Sequence, residues 1–153
     1  MTPVRALIAD ESPAMRRWYA AALQRIAPDV EGCASGWDLL FNLVEDRPCD
    51  LVIASRSLPG LSGAQVLAML RTADAQVPFV LVAPFCDGAT RSLIARLPNA
   101  ALVEDSLDAV RLAEAAEALI TSSPPREGSP EKVRRAVARC ARAQGLRRVR
   151  AFG

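Results

Sequence analysis

The chain has 153 residues, 51% hydrophobic and 24% charged, a globular composition with room for one domain with a sizeable core and a tail. It contains no histidine, which excludes Ser-His-Asp hydrolysis, Cys-His nucleophilic chemistry, histidine-ligated metals and service as a histidine phosphodonor. The net charge of +2 conceals an asymmetry: up to Thr121 there are 10 arginines against 15 acids, a net of −5, and from Ser122 onward 9 basic residues against 2 glutamates, a net of +7.

The first strand is expected over Val4 to Ala9, a short apolar run ending in Asp10-Glu11-Ser12-Pro13. Ser12 is suited to cap a helix and Pro13 to start one. Met15, Trp18, Tyr19, Ala22, Leu23 and Ile26 then recur at helical spacing up to Pro28. A second strand follows over Val30 to Ala34, then a helix with Leu39, Leu40, Leu43 and Val44 on one face, then a third strand over Asp50 to Ala54. The turn-rich run Ser57-Leu58-Pro59-Gly60-Leu61-Ser62-Gly63 leads to a helix carrying Val66, Leu67 and Leu70. Val77 to Ala83 is the most hydrophobic strand candidate. A helix over Gly88 to Leu97, a strand over Ala101 to Val103 and an alanine-rich helix over Leu107 to Ile120 complete the alternation. Near-continuous apolar strands separated by amphipathic helices predict a doubly wound α/β domain with a parallel sheet, whose binding or reactive groups gather at the carboxyl ends of the strands.

No apolar run approaches the roughly 18 residues of a membrane span, and the opening MTPVRALIADES does not resemble a secretory signal. A cytoplasmic location is expected. Cys33, Cys49, Cys86 and Cys140 lie far apart without a CxxC pair, as expected for thiols that pack in a reducing compartment.

At the end of the first strand, Asp10 and Glu11 are oxygen donors suited to a hard cation such as magnesium. The same acids would also stabilise the positive end of the following helix. The segments ALIADESPAMRRWYAAAL, CDLVIASRSLPGLSGAQVLAMLR and VPFVLVAP, in this order and spacing, closely resemble receiver domains of bacterial response regulators, over about Val4 to Ile120. The resemblance implies a five-stranded (βα)5 sheet of flavodoxin-like, CheY-like type. It also implies a phosphoacceptor aspartate ending the third strand, an acidic pair that holds magnesium, a Thr or Ser switch after the fourth strand, and a lysine after the fifth.

Only the acidic pair, Asp10 and Glu11, is matched. The acceptor falls on Ser55, the hydroxyl switch on Ala83, the lysine on Asp105 (or on Glu104 with a slip of one), and the aromatic switch on Leu102. Serine is a far weaker nucleophile than a carboxylate unless a base activates it, alanine has no hydroxyl, and an acid in place of lysine repels phosphate. These losses predict a pseudo-receiver that is not an enzyme. Asp10, Glu11 and Asp105 are expected to converge and to repel one another. Arg56 as a counter-ion, or simple solvent exposure of the acids, is expected in preference to a divalent ion held by Asp10 and Glu11, so magnesium is not expected to be required.

The chain is expected to divide into a receiver-like domain over 1–121, a Pro/Ser/Gly linker over 122–129 and a basic helix and tail over 130–153. Val133, Ala136, Val137, Cys140 and Ala141 form a narrow apolar stripe, and Gly145 is the expected stop. Arg134, Arg135, Arg139, Arg142, Arg147, Arg148 and Arg150 supply a charged surface for the parent domain or an acidic partner. Nucleic acid is disfavoured, because Phe152 is the sole interleaved aromatic and no recognition motif is present. The expected function is a phosphorylation-independent signalling adaptor of two-component type. Its partner would be a kinase or other signalling protein, or a second copy, bound through the fourth helix, fifth strand and fifth helix, where Ala109, Ala113, Ala116 and Ala118 allow close packing. The alternatives are a phosphorylatable regulator using Ser55 or another acceptor, and a nucleic-acid-binding regulator acting through the tail.

Overall fold

The computed structural model describes residues 3–45, 48–105, 107–122 and 130–143. The elements are β1 (Arg5–Ala9), α1 (Pro13–Ala22), β2 (Asp29–Cys33), α2 (Gly36–Leu43), β3 (Leu51–Ser55), α3 (Gly63–Thr72), β4 (Phe79–Val82), α4 (Gly88–Arg96), β5 (Ala100–Val103), α5 (Ala109–Ser122) and α6 (Pro130–Ala143). The five strands form one parallel sheet in the order β2-β1-β3-β4-β5. This is the doubly wound (βα)5 fold that the alternation of apolar runs predicts, with an additional carboxyl-terminal helix.

Side chains alternate along the strands between two cores. Ala6, Ile8, Leu51, Ile53, Val80 and Val82 pack with Tyr19 and Leu23 from the α1 side and Leu112 and Ala116 from α5. On the opposite face Leu7, Ala9, Val52, Ala54, Phe79 and Leu81 pack with Leu39 and Leu40 of α2, Val66, Leu67 and Leu70 of α3, and Ile94 of α4. Ser12, Ser35, Ser62 and Asp87 each cap the helix that follows, accepting from the backbone three residues on, and Gln65 completes a capping box with Ser62. Two of the glycines needed where they stand shape the turn after β3. Gly60 has φ +78°, and a Cβ on Gly63 would lie 2.4 Å from the Ser55 carbonyl oxygen.

The helix α1 is shorter than its periodicity suggests. The backbone leaves the helix at Leu23, and Ala27 N returns to Leu23 O at 2.8 Å, so that both side chains are buried at the turn into β2. The alanines of α5 divide: Ala116 is buried, Ala113 half-buried, and Ala109 and Ala118 exposed.

The helix α6 lies against α2 and α3. Val133 and Val137 join the core on that side, and Ala141 is also buried. Arg134 Nε donates to the Val44 carbonyl at the end of α2, at 2.8 Å, where the helix dipole favours a cation. Residues 123–129, the body of the expected linker, and Gly145, Arg147, Arg148 and Arg150 lie outside the described residues.

Because Val137 is only 1% exposed between α6 and the domain, Val137→Ala is expected to lower the unfolding free energy by about 2 kcal/mol, the transfer and cavity terms for two buried carbons. Urea titration of the full chain measures this. An unchanged midpoint would show that α6 is not docked.

Candidate functional site

The parallel arrangement brings the carboxyl ends of the strands to one edge. Asp10 follows β1, Ser55 ends β3, Ala83 follows β4, and Glu104 and Asp105 follow β5. The strand order sets Ser55 between the ends of β1 and β4, opposite Val82.

Asp10 is 8% exposed and committed to its surroundings. Its Oδ1 accepts from Ser12 N at 2.9 Å and its Oδ2 from the Tyr19 hydroxyl at 3.4 Å, while its carbonyl accepts from Arg16 Nη1 at 2.5 Å. Burial, together with the charge and hydrogen bond of Asp10, raises the Tyr19 pKa far above its ordinary value, so the phenol remains a donor. Glu11 is exposed. Asp105 is exposed too, and its Oδ1 accepts from Leu107 N at 3.0 Å, shaping the turn into α5.

Asp10, Glu11 and Asp105, expected to converge, form no three-carboxylate metal group. Among the described residues no group of three or more acidic or cysteine side chains is placed to hold a metal ion. Asp10 and Asp105 each close a local turn on a backbone amide, and these residues do not fit a magnesium site.

Ser55 is half-buried, and its Oγ accepts from Ser57 N at 3.2 Å. Ala83 is fully buried, with its N–H bonded to Val103 O at 2.9 Å, and it presents only a methyl group. Arg56 does not reach Asp10 or Glu11 as the expected counter-ion. Its Nη2 instead pairs with Asp87 Oδ2 at 3.0 Å, across the mouth of the site. The other oxygen of Asp87 caps α4, accepting from Thr90 N at 2.7 Å. One carboxylate thus joins the end of β3 to the start of α4. In the same loop Phe85 is fully exposed with φ +59°, a left-handed conformation uncommon for an aromatic residue.

A second bridge joins α4 to the end of β5, where Arg91 Nη2 meets Glu104 Oε1 at 2.5 Å. The arginine holds the Glu104 carboxyl below its ordinary pKa. Leu102 is half-buried and lines, with Val103, Asp108, Val110, Arg111 and Glu114, a depression between β5 and α5. Burial pushes the thiols of Cys33 and Cys49 up to about 12 and about 11, so neither is a nucleophile at neutral pH. Sequence reasoning missed Arg16, Tyr19, Asp87 and Arg91. Only Asp87 carried a local signal, as a helix cap immediately before Gly88.

The model of the response regulator receiver domain family matches residues 6–117. The chain belongs to that family, and is thus a receiver domain of the two-component signalling class. Among solved structures, a response regulator receiver protein from Sinorhizobium medicae superposes with a TM-score of 0.69 at 20% identity, covering 78% of this chain and 96% of that one. The receiver domain of NtrX from Brucella abortus gives 0.66 at 23% identity, covering 77% and 99%. The receiver domain of the Francisella response regulator 1452 gives 0.67 at 16% identity, covering 78% and 98%. At these identities the likeness is one of fold. No curated protein matches the chain. Among the described residues no helix is long and apolar enough to cross a membrane.

The geometry at Asp87 predicts a pH dependence. Its pKa is held below that of an ordinary aspartate, first by the Thr90 hydrogen bonds and then by Arg56. A depressed folded-state pKa means that the contribution of Asp87 is present above the unfolded value and lost as pH falls through the folded one. A carboxyl-carbon NMR titration is expected to place Asp87 below an unperturbed aspartate. Arg56→Gln should raise it only part of the way, because the Thr90 amide remains.

Proposed function

We propose that this receiver domain works without phosphorylation, as a cytoplasmic signalling adaptor that acts by protein–protein contact and not as an enzyme. The observation that carries the reading is the set of groups at the strand ends. Ser55 stands where an acceptor carboxylate would be needed, its hydroxyl already bonded to a backbone amide. The chain has no histidine to activate that hydroxyl. Ala83 offers no hydroxyl for a phosphoryl oxygen, and the groups after β5 are acids, one paired with Arg91 and one closing a turn. A phosphoryl group arriving here would meet negative charge where a cation is required.

The link between Arg56 and Asp87 supports the same reading. A phosphorylation switch needs a coupling between the end of β3 and the loop before α4 that forms only in the modified state. In this chain a side-chain ion pair already spans that distance. The pair draws the loop before α4 to the end of β3 with no phosphoryl group between them. Leu107 and Val110 are each 68% exposed beside the depression that Leu102 lines, an apolar contact for a kinase, another signalling protein or a second copy.

Incubation with acetyl phosphate and magnesium, followed by intact mass measurement, is expected to show no phosphoryl adduct. Titration with beryllofluoride and magnesium is expected to leave the amide spectrum of Ser55 and Ala83 in place. A stable adduct, or saturable shifts centred on Ser55, would overturn the proposal in favour of a working acceptor.

A further inference from the structure

The docking of α6 fixes which side of this helix faces outward. At 3.6 residues per turn, Val133 and Val137 each lie about 160° around the helix from Arg135, while Arg135, Arg139 and Arg142 fall within about 60° of arc. Burial follows that geometry: the valines and Ala141 are buried, and the three arginines are exposed. They form a row rising about 10.5 Å along the axis. Arg142 Nε folds back onto the Ala138 carbonyl at 3.3 Å, and none of the three is paired with an acid among the described residues. The single acid of α6, Glu131, lies one turn before Arg135, at the amino end of the same face.

We infer that this arginine row is a binding site for the phosphate backbone of nucleic acid, without sequence preference. The absence of a reading motif argues against base recognition but does not bear on phosphate contact, which needs cations held in a line on a rigid element. A row of about 10.5 Å, carried on long side chains, lets the three guanidiniums reach neighbouring phosphates along a strand that carries one charge per nucleotide. Each guanidinium presents the planar fork that suits phosphate oxygens. Docked by its apolar side, α6 needs no ordering on contact, whereas an acidic peptide would pay its own ordering entropy to match the row. Counterions released from a polyanion add a driving force that scattered carboxylates on a folded partner do not supply.

Fluorescence anisotropy of the full chain with a labelled mixed-sequence duplex of about 20 base pairs tests this. Binding is expected at low salt and should weaken at least about 40-fold between roughly 50 and 200 mM, the slope for three phosphate contacts. Arg135→Gln, Arg139→Gln and Arg142→Gln together should weaken binding tenfold or more and reduce the slope by about 2.7. Replacing the same three residues by lysine should retain it within a few-fold. Circular dichroism and urea titration of each variant report whether α6 stays folded and docked. The inference fails if the duplex does not bind at low salt, or if the glutamine variant binds with the same affinity and slope. It also fails if polyglutamate of matched charge, or a second copy of the chain, competes more strongly than DNA.

Discussion

The central strands β1 and β3 are covered on both faces, with Ala6 to Ala9 and Leu51 to Ala54 all fully buried. Every side chain along them is therefore occupied in packing, and chemistry is confined to the two edges where the strands end. At the amino edge a half-buried arginine holds the connections. The guanidinium of Arg71 donates to the carbonyls of Ala75, Val77, Pro98 and Asn99 at 2.7 to 2.9 Å, tying the chain before β4 to the chain before β5. Burial lowers its pKa to about 10, which leaves it charged at neutral pH.

The carboxyl edge is built differently, from acids that close turns. Asp10, Asp87, Asp105 and Asp108 each accept from a backbone amide two or three residues ahead. From sequence, Asp10 and Glu11 suggest a cation site, with Asp105 converging on them, because oxygen donors are what hard cations select. The turn amides are nearer and already aligned, so they take the carboxylates first. Asp10 thereby has a structural task of its own: it anchors Ser12 and Tyr19 at the start of α1.

The fold was largely legible in the sequence because its signals are local. Apolar runs of four or five residues, Ser12-Pro13, Ser62-Gly63 and the turn through Gly60 each specify structure within a few positions. The ties that shape the site are not local. Arg56 and Asp87 are 31 positions apart, and Arg91 and Glu104 are 13 apart. No periodicity marks such pairs, and Arg56 could as well have served the acids after β1. Likewise, the stripe through Val133 and Val137 indicates that α6 is covered without indicating by what.

The orientation of α6 shows which force decides that question. The receiver portion of the chain carries a net charge of −5 and the remainder +7, so electrostatics alone would turn the arginines of α6 toward the domain. Exposed ion pairs are worth about 0 to 1 kcal/mol each, whereas burying a valine side chain is worth about 1.5 to 3 kcal/mol. Val133 and Val137 therefore set the docked face, and Arg134 adds a polar anchor at the end of α2. Arg135, Arg139 and Arg142 are left outward because hydrophobic burial outweighs charge attraction. The result is a domain with an arginine ridge over its α2–α3 side, while the exposed apolar residues Leu107 and Val110 lie on α5 and the loop before it, and Phe85 in the loop before α4. The two surfaces are thus chemically distinct and lie on separate elements.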